Sequence, residues 1–138
     1  MSDDYLVPTD PEERAIEIAL DPWVGYARTT LWFCGLVYLA LGVALGPLMG
    51  LPFLSDPEQR TLGIVMTIVY TAVSLVLGVG MGVLNLAAAS GLGRGKKWAW
   101  FVSVGLGALY LPTGCCLFGL VLMFAMLKDK TRKLFLSP

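Results

Sequence analysis

Charged positions in this chain cluster, and long apolar runs separate the clusters. No charged residue lies between Arg28 and Asp56, between Arg60 and Arg94, or between Lys97 and Lys128. A bilayer core about 30 Å thick takes about 20 apolar residues in helical conformation. The first gap therefore predicts one span over about 30–49. The second predicts another over about 61–90, long enough to tilt or to project beyond the hydrocarbon. The third gap fits one span or two short ones, about 95–111 and 113–127, broken at Leu111-Pro112-Thr113-Gly114, and the charge balance favours two. Pro112 lacks a backbone donor and Gly114 permits a tight turn, which suits a hairpin. A re-entrant hairpin that dips into the bilayer and returns satisfies the same pattern.

Helix punctuation agrees with these boundaries. Asp56-Pro57-Glu58-Gln59 reads as an N-cap, Pro at N1 and a capping-box Gln, opening the second span. Gly91, Gly93 and Gly95 close it. Asp10-Pro11-Glu12-Glu13 repeats the cap logic before a short helix over Arg14–Leu20. Asp21-Pro22 starts another segment, with Trp23 and Tyr26 placed as interface anchors; Trp98 and Trp100 read as the same device after Lys96-Lys97. The expected organisation is an acidic segment over 1–27, a four-span bundle over 28–127 and a basic tail over 128–138.

Within the spans, small and weakly polar residues recur at helical spacing. Gly63, Thr67, Thr71, Ser74, Gly78, Gly82, Asn85 and Ala89 step by three or four and share one face of the second span. Gly35, Gly42, Gly46 and Gly50 do so in the first, Ala99, Ser103 and Gly107 in the third, and Cys115 and Gly119 in the fourth. In lipid, apolar side chains gain little by leaving acyl chains for one another, so close backbone approach at small residues holds helices together. Gly42, Gly46, Ser74, Gly78, Gly82, Asn85, Ser103, Gly107 and Gly119 are the expected packing positions. Asn85, the one strongly polar side chain within a span, is expected to make an interhelical hydrogen bond.

Composition sharpens the class. The 138 residues are 57% apolar and 14% charged, against about 45–50% and about 25% in an ordinary soluble domain. Ten basic and ten acidic residues cancel, so no basic field points to nucleic acid. Their distribution gives sidedness. With four spans and the N-terminus inside, Arg14, Arg28, Arg94, Lys96, Lys97, Lys128, Lys130, Arg132 and Lys133 lie on one side and only Arg60 on the other. The positive-inside rule then places both termini in the cytoplasm. The first 21 residues are acidic and lack the basic n-region and apolar h-region of a cleavable signal peptide.

Little of the sequence looks chemical. The chain has no His, which excludes His-based acid–base catalysis and His-ligated metals. Cys34, Cys115 and Cys116 form no Cys-x-x-Cys motif and fall in opposite halves of the bundle. Gly91-Leu92-Gly93-Arg94-Gly95-Lys96-Lys97 has neither the spacing nor the hydroxyl residue of a phosphate loop. No acid or base lies within the hydrocarbon stretch of any span, where coupled transporters usually place one. No catalytic, cofactor or metal site is expected.

The entry Gly95-Lys96-Lys97-Trp98-Ala99-Trp100, followed by a hairpin turning on Leu111-Pro112-Thr113-Gly114, resembles a broad group of small bacterial four-span membrane proteins. The resemblance covers Gly78–Leu127. Cys115-Cys116 departs from it where a small aliphatic pair is expected. The resemblance implies a four-helix bundle in the inner membrane and carries no activity to any residue. The expected role is that of a non-enzymatic structural or accessory subunit of a membrane complex or homo-oligomer. The alternative is a small oligomeric transporter or pore.

One question concerns the membrane surface. Asp3, Asp4, Asp10, Glu12, Glu13, Glu17 and Asp21 face seven bases in the loop and tail: Arg94, Lys96, Lys97, Lys128, Lys130, Arg132 and Lys133. In one arrangement the bases sit on lipid headgroups and the acidic segment stays solvated. In the other, Asp10–Leu20 docks across loop and tail, with Ile16 and Leu20 against the inner ends of the spans.

Overall fold

A computed structural model describes residues 8–54, 60–112 and 116–136. Among them are six helices and no strand: α1 (Pro11–Leu20), α2 (Pro22–Leu54), α3 (Arg60–Gly93), α4 (Lys97–Tyr110), α5 (Cys116–Leu127) and α6 (Asp129–Leu136). The cap assigned to Asp56–Gln59, the Thr113-Gly114 half of the turn, Cys115, Asp3 and Asp4 lie outside the described residues. Two helices, Pro22–Met49 within α2 and Arg60–Gly93, are long and apolar enough to cross a membrane. Fourteen residues of α4 extend about 21 Å and the 12 of α5 about 18 Å, each short of a 30 Å hydrocarbon core.

The helix boundaries follow local chemistry. The Asp10 carboxylate accepts from the Glu12 amide at 2.9 Å, with Pro11 at the first helical position of α1. Asp21 ends α1 and opens α2: its amide donates to Glu17 O, and its Oδ1 accepts from the Trp23 amide at 2.9 Å. Trp23 and Tyr26 therefore lie on the same continuous helix as the first span, which carries Pro47 and Pro52 within it. The end of α3 is a Schellman turn. Lys96 N donates to Gly91 O at 3.0 Å and Gly95 N to Leu92 O at 3.1 Å. Gly95 occupies the left-handed position at φ +64°, where a side chain would be strained.

Contacts divide the chain into two compact units. One holds Phe33–Leu84, where α2 and α3 pack against each other. The other holds Met1–Trp32 and Asn85–Pro138, where α4 and α5 run antiparallel and α6 packs on α1, α4 and α5. The span read as a basic tail from 128 onward is thus a helix. Thr131, Leu134 and Phe135 form its buried face, while Arg132 and Lys133 stay exposed.

Candidate functional site

In the unit over Phe33–Leu84 the helices meet at backbone distance. A Cβ on Gly42 would lie 2.9 Å from Gly78 Cα, and one on Gly78 would collide with the backbone of Gly42 and the Tyr38 carbonyl. A Cβ on Gly46 would strike Thr71 Cα and sit 2.6 Å from Ser74 Oγ. A Cβ on Gly82 would run into the Leu39 side chain and the Gly35 carbonyl. Ser74 Oγ donates across the crossing to Gly42 O at 3.1 Å and lies 3.2 Å from Thr71 O in its own helix. Thr67 Oγ1 donates to Gly63 O at 2.7 Å, so its hydroxyl is satisfied without a partner helix. All of Gly63, Thr67, Thr71, Ser74, Gly78 and Gly82 are buried or half-buried, while Ile68, Val76 and Leu77 beside them are exposed.

In the other unit Asn85 is wholly buried, and its Oδ1 accepts from the Tyr110 hydroxyl at 2.9 Å. Gly107 and Gly119 form the α4–α5 crossing. A Cβ on Gly119 would lie 2.8 Å from Gly107 O and 2.9 Å from Leu111 N. Ser103, also wholly buried, donates to Ala99 O at 2.7 Å within α4. Trp100 corrects the sequence reading. It is only 7% exposed and its indole Nε1 donates to Met126 O at 3.0 Å, so it locks α4 to α5 and is not an interface anchor. Trp98, at 45% exposure, remains outward.

The charged surface is built from α1, α6 and the turn after α3. Glu17 Oε1 stands 3.5 Å from Lys130 Nζ. The Lys128 ammonium lies over the Trp23 ring, 4.5 Å from its centroid. Arg14 holds the Pro8 carbonyl from two nitrogens at 3.2 and 3.3 Å. Here too the structure departs from the expected contacts. Ile16 and Leu20 are exposed, and the anchoring residue is Ile18, 3% exposed, whose Cδ1 would lie 3.0 Å from a Cβ on Gly95. Glu17 Oε2, Asp21 Oδ2 and Thr131 Oγ1 are buried there without a hydrogen-bond partner. All seven bases, Arg94, Lys96, Lys97, Lys128, Lys130, Arg132 and Lys133, are exposed.

Cys34 is buried and Cys116 exposed. Among the described residues no group of three His, Cys, Asp or Glu side chains could hold a metal ion. An apolar groove of about 560 Å³ runs beside α5, lined by Trp23, Leu111, Leu120, Met123, Phe124 and Leu127, with Lys128 at its end. No family model matches the chain, and comparisons with curated proteins and with solved structures likewise give no match.

Proposed function

We propose that this chain is a multi-pass integral membrane protein without catalytic activity, a structural or accessory subunit of a membrane complex or homo-oligomer. One observation carries the reading. In α3, 34 residues long, only 11% of the most apolar window is buried within the protein. The core helix of a soluble protein would be covered, whereas in water such exposed apolar surface drives association. Packing through Gly42, Gly46 and Gly78 supports the same medium, because close backbone approach substitutes there for a hydrophobic drive between helices.

In this reading α2 and α3 cross the bilayer and α4–α5 forms a re-entrant hairpin with both its ends on the cytoplasmic side. Tyr110, at the tip of α4, bonds Asn85, which lies eight residues before Gly93, or about 12 Å along α3. A crossing needs about 30 Å. The likeness of Gly78–Leu127 to small four-span bacterial proteins supports an inner-membrane location, and the nine bases on one side support both termini inside.

The test is extraction from native membranes. The chain should resist alkaline carbonate, dissolve in mild detergent, and carry stoichiometric partners or further copies of itself by mass spectrometry. Release by carbonate alone would overturn the membrane assignment. A detergent-solubilised monomer without partners would overturn the subunit role.

A further inference from the structure

The groove beside α5 has the form of an amphiphile. Leu120, Met123, Phe124 and Leu127 follow one another at steps of three, one and three along α5 and so share one face. Trp23 and Leu111 complete an almost wholly carbon-lined trough. Phe124 is 73% exposed, so the trough opens outward along its length. Its single charged lining residue is Lys128, at the end of the run of α5 residues. The Trp23 ring beneath the Lys128 ammonium fixes it at the mouth of the trough.

A second cation lies one turn further along the chain. Arg132 N donates to Lys128 O at 2.9 Å, so the two residues are one helical turn apart and share a side. Arg132 is exposed. Asp129 is the next residue after Lys128, about 100° around the helix from it and about 60° from Arg132, so it lies nearer the side of Arg132 than that of Lys128. A long apolar trough that ends at Lys128, with Arg132 one turn further along the chain, matches an acyl chain that ends in a phosphate. A zwitterionic headgroup brings its own cation to the same place and gains less.

We propose that this groove is a binding site for one anionic phospholipid, with an acyl chain along Leu120–Leu127 and the headgroup phosphate on Lys128 and Arg132. The site rests on the membrane reading above. It differs from general headgroup attraction because the apolar half is built from Trp23 and α5 and the polar half from two named residues.

The full chain, purified in an uncharged mild detergent, is offered phosphatidylglycerol and phosphatidylcholine in equal amounts, and retained lipid is counted by native mass spectrometry. Wild type should hold one phosphatidylglycerol with about tenfold preference. The Lys128→Gln/Arg132→Gln variant should lose the preference, and Lys133→Gln should keep it. The melting temperature of each variant reports that it is folded. Equal retention of the two lipids by wild type overturns the site whatever the variants do, as does an undiminished preference in the double variant. A chain that stays in solution without detergent overturns the membrane reading and the site together. A chain that needs detergent but shows no preference overturns the site alone.

Discussion

Gly78 and Gly80 sit two positions apart on α3 and have opposite surroundings. A Cβ at Gly78 meets the backbone of α2 at Gly42 and Tyr38, whereas one at Gly80 has nothing within 4 Å. Backbone cannot rotate out of the way as a side chain can. Gly78→Leu should therefore push α2 and α3 apart and destabilise the protein by about 1–3 kcal/mol, the usual cost of overpacking. Gly80→Leu should stay within about 0.5 kcal/mol of wild type. Thermal unfolding of both variants in detergent checks this, and similar losses in the two would show that the crossing does not depend on Gly78. The small-residue face was legible in the sequence because its spacing of three and four is itself the geometric requirement. Trp100 was not legible. A tryptophan just after a basic pair reads the same whether it faces headgroups or donates to Met126 O, and only the fold of α5 against α4 decides.

At the scale of the elements, α1 meets α6 through an ion pair and is anchored by the buried Ile18. The Glu17–Lys130 pair is partly exposed, at 28% and 43%, and such pairs contribute roughly 0–1 kcal/mol. Burying Ile18 contributes more, about 1.5–3 kcal/mol. The unpartnered oxygens of Glu17, Asp21 and Thr131 count against both. Hydrogen exchange should thus show residues 12–20 protected at low salt and only modestly less so at 1 M, where the Debye length falls to about 3 Å. Ile18→Ala should abolish the protection at either salt concentration, since truncating a buried Ile costs about 2–5 kcal/mol. Wild-type exchange as fast as that of an isolated peptide would show that α1 does not dock. Periodicity within α1 singles out Ile16 and Leu20 as an i, i+4 pair, yet the socket belongs to Gly95 of another segment. No pattern confined to α1 can reveal it. In α6, by contrast, Thr131, Leu134 and Phe135 already lie at helical spacing in the sequence, and the surrounding charges obscured a face that was there to be read.

At the scale of the whole molecule, the distribution of basic residues makes a prediction independent of any contact. Reporters fused after Gly95 and after Leu136 should lie in the cytoplasm, and one after Gln59 outside, because nine of the ten bases are then internal. An external reporter after Leu136 would eliminate both the four-span and the re-entrant arrangement. Charge alone gives this expectation of sidedness. The partner of Asn85 was not legible, since Tyr110 stands 25 positions away on a different helix. The docking of α1 on α6 has a further consequence, in the order of synthesis. Glu17 leaves the ribosome about a hundred positions ahead of Lys130. A ten-residue helix is marginal in water by itself, so α1 depends on its contacts, first with Gly95 and then with α6. Closure of this contact is then a late, long-range event in folding. A chain whose synthesis stops before α6 therefore lacks the ion pair of Glu17 with Lys130 and keeps only the contact of Ile18 with Gly95.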